Sequence, residues 1–162
     1  HSGRLRLLLD ECLNSFGWVL APKNLCPIHG DLTFENILVD EKNDDVKLID
    51  MDGAEYMDAM ELDMGKMFQS LITYYETWSK LSDEELKTFD FSLDSPQIEG
   101  YINLWSKILD EDEEILRAKI YFYTALHLIR MIPFRLKVSD EQGRFAYNSA
   151  LKLLNEIGDI LA

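Results

Sequence analysis

The sequence predicts a mainly α-helical domain that carries one short β-hairpin, on three observations. Downstream of Gly53 the apolar residues recur at helical spacing. Upstream of it, two short β-rich runs (37–39 and 46–49) flank the polar turn Asp40-Glu41-Lys42-Asn43-Asp44-Asp45. After the hairpin, no strand-like run alternates with the helical stripes, as a parallel sheet would require. With 162 residues, 47% hydrophobic and 28% charged, the chain suits one globular domain spanning 1–162.

Leu5, Leu8, Leu9, Cys12 and Phe16 share one stripe, so a first helix is expected to run from close to the first residue and to end between Gly17 and Pro22. Residues 27–36 are polar around a Gly and read as a loop. Residues 36–53 hold the hairpin, and 58–162 a helical bundle. Within the bundle, Met64, Met67, Phe68, Leu71, Ile72 and Tyr75 fall on one stripe, and Ile98, Tyr101, Ile102, Trp105 and Leu109 on the next. Ile115, Phe122, Leu126 and Ile129 form a third, then Ala150, Leu153, Leu154, Ile157 and Leu161 a fourth. Asp58-x-x-Glu61, Ser82-x-x-Glu85 and Ser139-x-x-Gln142 have the form of capping boxes, and Pro133 should kink or end the third long helix.

A net charge of −14 repels nucleic acid and anionic membranes, so neither is an expected partner. No uncharged apolar run is long enough to span a bilayer. The apolar run after Arg4 and Arg6 is broken at Asp10 and Glu11, so no secretory leader is expected. Two cysteines, Cys12 and Cys26, lack metal-ligand spacing and point to a reducing cytoplasm.

Two motifs carry chemistry. Asp50-Met51-Asp52-Gly53, at the end of an apolar strand, resembles the opening motif of haloacid-dehalogenase-type phosphatases. That fold needs a parallel sheet that the helical remainder does not predict. The other motif, His29-Gly30-Asp31 followed by Asn36, has the form H-x-D-x-x-x-x-N of a kinase catalytic loop. In that pattern the Asp is the base that receives the acceptor hydroxyl, and the Asn turns back towards a magnesium ion. A hairpin that begins at Asn36 and ends at Asp50 would set the two side by side at one metal.

HGDLTFENIL, VKLIDMDGA and the segment from Asp58 to Lys66 together resemble the aminoglycoside phosphotransferase and choline kinase-like family, of protein-kinase-like α+β fold. In that family Gly often follows the loop His, and Ile-Asp stands where protein kinases have Asp-Phe-Gly. The resemblance implies that this chain is the C-terminal lobe alone. The N-terminal lobe of the same parent chain, with its phosphate-covering loop and Lys, would be missing, so the chain alone is expected to have little activity. It also implies ATP as phosphoryl donor, Mg²⁺ as metal, and a small-molecule hydroxyl acceptor: an aminoglycoside, a choline-like alcohol or a sugar.

On this reading Asp31 is the catalytic base and His29 orients the loop. Asn36 and Asp50 bind the metal and nucleotide phosphates, with Asp52 a further candidate ligand or an exposed loop acid. Asp58 and Asp63 are structural supports; Asp63 matches the acid that braces the catalytic loop, and Asp58 alternatively caps a helix with Glu61. Ala59 replaces the family's usual Pro, and Thr33-Phe34-Glu35 stands where many relatives have His-Pro-Gly. His127 reads as a core histidine. A non-catalytic kinase-like binding module is the second reading, and the phosphatase the third.

Overall fold

The computed structural model describes residues 2–23, 25–51 and 57–162. Among the described residues six helices and four short strands follow one another: α1 (Ser2–Leu20), β1 (Leu25–Pro27), β2 (Ile37–Asp40), β3 (Asp45–Leu48), β4 (Met57–Ala59), α2 (Met60–Thr73), α3 (Asp83–Thr88), α4 (Pro96–Leu109), α5 (Glu113–Arg135) and α6 (Asp140–Leu161). Two 3-10 turns, Phe34–Asn36 and Tyr75–Lys80, lie between them.

α5 is the centre of the molecule. Its long apolar surface is wrapped by α6 on one side and α2 on the other, with α1 and α4 closing the remaining faces. Phe68, Ile102, Leu116, Ile120, Leu128, Leu153 and Ile157 are fully buried in this core. Gly65 lets α2 approach α5 closely. A Cβ there would lie 2.8 Å from the backbone nitrogen of Thr124, whose hydroxyl donates to the Gly65 carbonyl at 3.0 Å.

The helix starts follow local chemistry. Ser82 and Glu85 form a reciprocal capping box, Ser139 accepts from the Gln142 N–H, and Asp112 accepts from Glu114 and Ile115. α1 runs through Gly17 and ends at Leu20, within the expected limits, because Val19 and Leu20 are buried and that packing outweighs the roughly 1 kcal/mol helix penalty of Gly. Two expectations are corrected. α5 runs two residues past Pro133, which sits in its last turn, and the Leu136 N–H still reaches the Ile132 carbonyl. The cap expected at Asp58 falls on Ala59, which makes no side-chain cap bond, because Asp58 is held in β4.

The hairpin forms as expected, β2 against β3 with Ile37 opposite Leu48 and Asp40 opposite Asp45. The second antiparallel pair, β1 with β4, is unforeseen: Leu25 faces Ala59 and Pro27 faces Met57. It carries the chain from α1 into the loop after Pro27 and sets the start of α2 beside that loop. No helix among the described residues is long and apolar enough to cross a membrane.

Candidate active site

The loop from Ile28 to Asn36 is held from two sides. Asp63, in the first turn of α2, accepts the backbone N–H of His29 at 2.5 Å through Oδ2 and that of Gly30 at 2.9 Å through Oδ1. An acid in a helix's first turn is also favoured by the positive end of the helix dipole. The His29 side chain fixes the other flank. Its Nε2 lies 2.8 Å from the Ile49 carbonyl, while Nδ1 accepts the Asp31 N–H at 3.3 Å. Those partners place the ring proton on Nε2, so His29 acts as a strut between the loop and the end of β3. Gly30 has φ 87, in the region that favours glycine, so the turn that projects Asp31 needs this residue.

Asp31 is thereby presented at the surface with its side chain 44% exposed. Its backbone carbonyl accepts from the Thr33 N–H and from Asn36 Nδ2, both at 2.9 Å. Asn36 is buried, and with its amide nitrogen directed at Asp31 its oxygen is the end available to another group. The Ile49 N–H donates to the Asn36 carbonyl at 3.1 Å, so the hairpin sets Asp50 one residue beyond Asn36's own partner. Asp50 is exposed and left-handed, φ 60, a conformation Asp tolerates better than most residues.

Any cation here would find one amide oxygen and one carboxylate, since both oxygens of Asp63 are already bonded to the loop. Among the described residues no cluster of three or more His, Cys, Asp or Glu is placed to hold a metal. That sparse, hard-oxygen set suits an ion that takes its remaining ligands from phosphate and water. Asp52 lies outside the described residues. Asp58 is exposed in β4, opposite Cys26, and its carboxylate accepts the neighbouring Ala59 N–H at 2.8 Å rather than any loop group.

Sequence reasoning missed Lys66. One turn after Asp63, its ammonium sits 3.1 Å from Asp31 Oδ1, with the lysine side chain only 5% exposed and 4.8 Å from the centre of the Tyr75 ring. The signal was present: a lysine among Met64, Met67 and Phe68 must either reach out to solvent or meet an acid. It also missed the buried cluster that anchors α2. Lys119, 1% exposed, meets Glu111 at 2.9 Å and Glu61 at 3.5 Å, and Lys23 closes on Glu111 at 2.8 Å. Burial pushes the Glu111 carboxyl up, but the hydrogen bonds from Lys23 and Lys119 outweigh it and leave it below the ordinary range.

His127 of α5 meets the Leu62 carbonyl through Nε2 at 2.8 Å, directly behind Asp63. Burial lowers its imidazole to about 4, against the pull of that carbonyl and with Lys66 and Arg130 pushing the same way as burial. It is thus a neutral core histidine.

Compared with family models, curated proteins and solved structures, the chain matches none.

Proposed function

We propose that this chain forms the catalytic-loop side of an ATP-dependent phosphotransferase that moves a γ-phosphoryl group to the hydroxyl of a small molecule. One observation supports the reading: Asp63 grips the backbone of His29 and Gly30, and the Asp31 side chain projects from this loop, whose Asp31 carbonyl is bonded by Asn36. Asp31 orients the acceptor hydroxyl and takes its proton late, as suits a loose phosphoryl-transfer transition state. Asn36 and Asp50 would hold Mg²⁺ against the nucleotide phosphates, where it neutralises their charge.

Such chemistry also needs an element to cover the phosphates, which the resemblance assigns to an N-terminal lobe of the parent chain. Val39, Val46 and Leu48 are exposed on one face of the hairpin next to Asp50 and offer that lobe an apolar seat. Cys12 and Cys26 are free thiols, in keeping with a reducing cytoplasm.

A second reading, a kinase-like module that binds without turnover, draws on the Lys66–Asp31 ion pair, which occupies one oxygen of the base. The phosphatase reading would need a parallel sheet, and both sheets among the described residues are antiparallel.

Mg²⁺-dependent ATP binding to the parent protein, measured calorimetrically, tests the proposal. Binding that weakens at least about tenfold in Asp50→Asn is expected for loss of a metal carboxylate. Equal binding with and without Mg²⁺, or no effect of Asp50→Asn, would overturn it.

A further inference from the structure

Resting on the phosphotransferase reading, we infer that the acceptor is an anionic hydroxy compound, its carboxylate or phosphate seated on Arg130 and Arg135 while its hydroxyl meets Asp31. A cavity of about 540 Å³ is walled by Tyr75, Arg130, Met131, Phe134, Arg135 and Val138. Tyr75 joins the cavity to the base. Lys66 lies 4.8 Å from the centre of its ring, and the Arg135 guanidinium packs on the same ring at 4.8 Å. Lys137 lies 5.7 Å from the centre of the Phe134 ring.

This clustering of positive charge stands out in a chain whose acids outnumber its bases by 30 to 16 and several of whose other cations sit on carboxylates. Lys23 and Lys119 meet Glu111, Arg117 meets Glu99, Lys152 meets Asp90, and Arg144 meets Glu141. Neither Arg130 nor Arg135 pairs with a carboxylate among the described residues. Arg135 is held by the neutral oxygen of Gln142 at 3.2 Å and by the rings of Tyr75 and Trp78. Glu76, the residue after Tyr75, is engaged by the Phe34 N–H at 3.1 Å. A guanidinium fixed by rings and an amide keeps N–H groups free for a planar anion, the ligand that arginine recognises in a two-pronged way. Met131, Phe134 and Val138 suit the carbon skeleton. The same wall disfavours a cationic acceptor such as an aminoglycoside or a choline-like alcohol.

Four polyols of similar length test the inference by ligand-detected NMR on the chain without nucleotide: gluconate, glucitol 6-phosphate, glucitol and glucamine. At least one of the two anions should bind about tenfold or more tightly than glucitol, and glucamine most weakly, as charge-assisted hydrogen bonds require. Which anion wins separates carboxylate from phosphate. Arg130→Glu, an exposed change on α5 that removes no core packing, should abolish the preference. Lys107→Glu, the same change of charge on α4, should preserve it. Glucamine binding most tightly, equal binding of all four, or a preference that survives Arg130→Glu would overturn the inference. The phosphotransferase reading fails separately, if the acceptor that binds is never phosphorylated from ATP.

Discussion

Lys66 Nζ lies 3.1 Å from Asp31 Oδ1, and the lysine is buried while the aspartate remains open to solvent. The pair is therefore lopsided: the ammonium is held by protein, and the carboxylate can still turn its other oxygen to a substrate. Lys66→Met should lower kcat about tenfold or more, because Asp31 loses the contact that fixes its rotamer. Melting should move by only a few degrees, since an exposed carboxylate resolvates and Met keeps the apolar stem. Lys66→Arg should recover part of kcat. Kinetics and thermal melts on the three proteins check this; unchanged kcat in Lys66→Met would refute it.

Asp63 uses both oxygens on the loop backbone, at 2.5 Å to His29 and 2.9 Å to Gly30. Asp63→Asn leaves a single acceptor and points an NH₂ at a donor. Turnover should fall about a hundredfold, with nucleotide affinity much less affected, because a small displacement of Asp31 suffices. Steady-state kinetics alongside nucleotide titration would measure the split.

Lys119 is the hub for two buried carboxylates, Glu61 and Glu111. Lys119→Ala strands Glu61 and leaves Glu111 to Lys23 alone, and should cost about 3–5 kcal/mol, the usual loss when one partner of a buried ion pair is removed. The start of α2 loosens with it, so activity should fall together with stability in urea unfolding. A loss below about 1 kcal/mol would show that water already reaches the cluster.

His127 gives stability a pH dependence with a definite sign. Its folded imidazole titrates near 4, well below the ordinary 6.5. As pH falls below 6.5 the unfolded chain takes up a proton that the folded chain refuses, so stability drops until about pH 4 and then levels. From pH 7 to pH 5 this group alone should remove about 2 kcal/mol. His127→Gln, which can still donate to Leu62, should flatten the wild-type curve by that amount. Parallel unfolding curves for the two proteins would contradict the assignment.

The helices were legible because their apolar residues repeat with one period, and the hairpin because two β-rich runs bracket a polar turn. β1 and β4 were not. Each has three residues, too few to show alternation, and they pair across the whole loop-and-hairpin segment. That pairing also defeated the cap expected at Asp58: the D-x-x-E signature is local, whereas the strand holding Asp58 is imposed from Cys26. At the site, spacing alone predicted that the chain at Asp50 returns next to Asn36, since a hairpin starting at one must end near the other, and the Ile49 N–H does reach the Asn36 carbonyl. Lys66 and Lys119 stayed hidden because a lysine within an apolar stripe reads as surface until its acid is found in space.

The most direct measurement is acceptor-dependent transfer of the γ-phosphoryl group of ATP by the protein with Mg²⁺, run beside Asp31→Asn. Transfer that falls by a factor on the order of a thousand or more in the variant, with Mg²⁺–ATP binding retained, is the expected result for loss of a positioned base. Undiminished transfer by Asp31→Asn would contradict the assignment of Asp31, and with it the phosphotransferase site built around it.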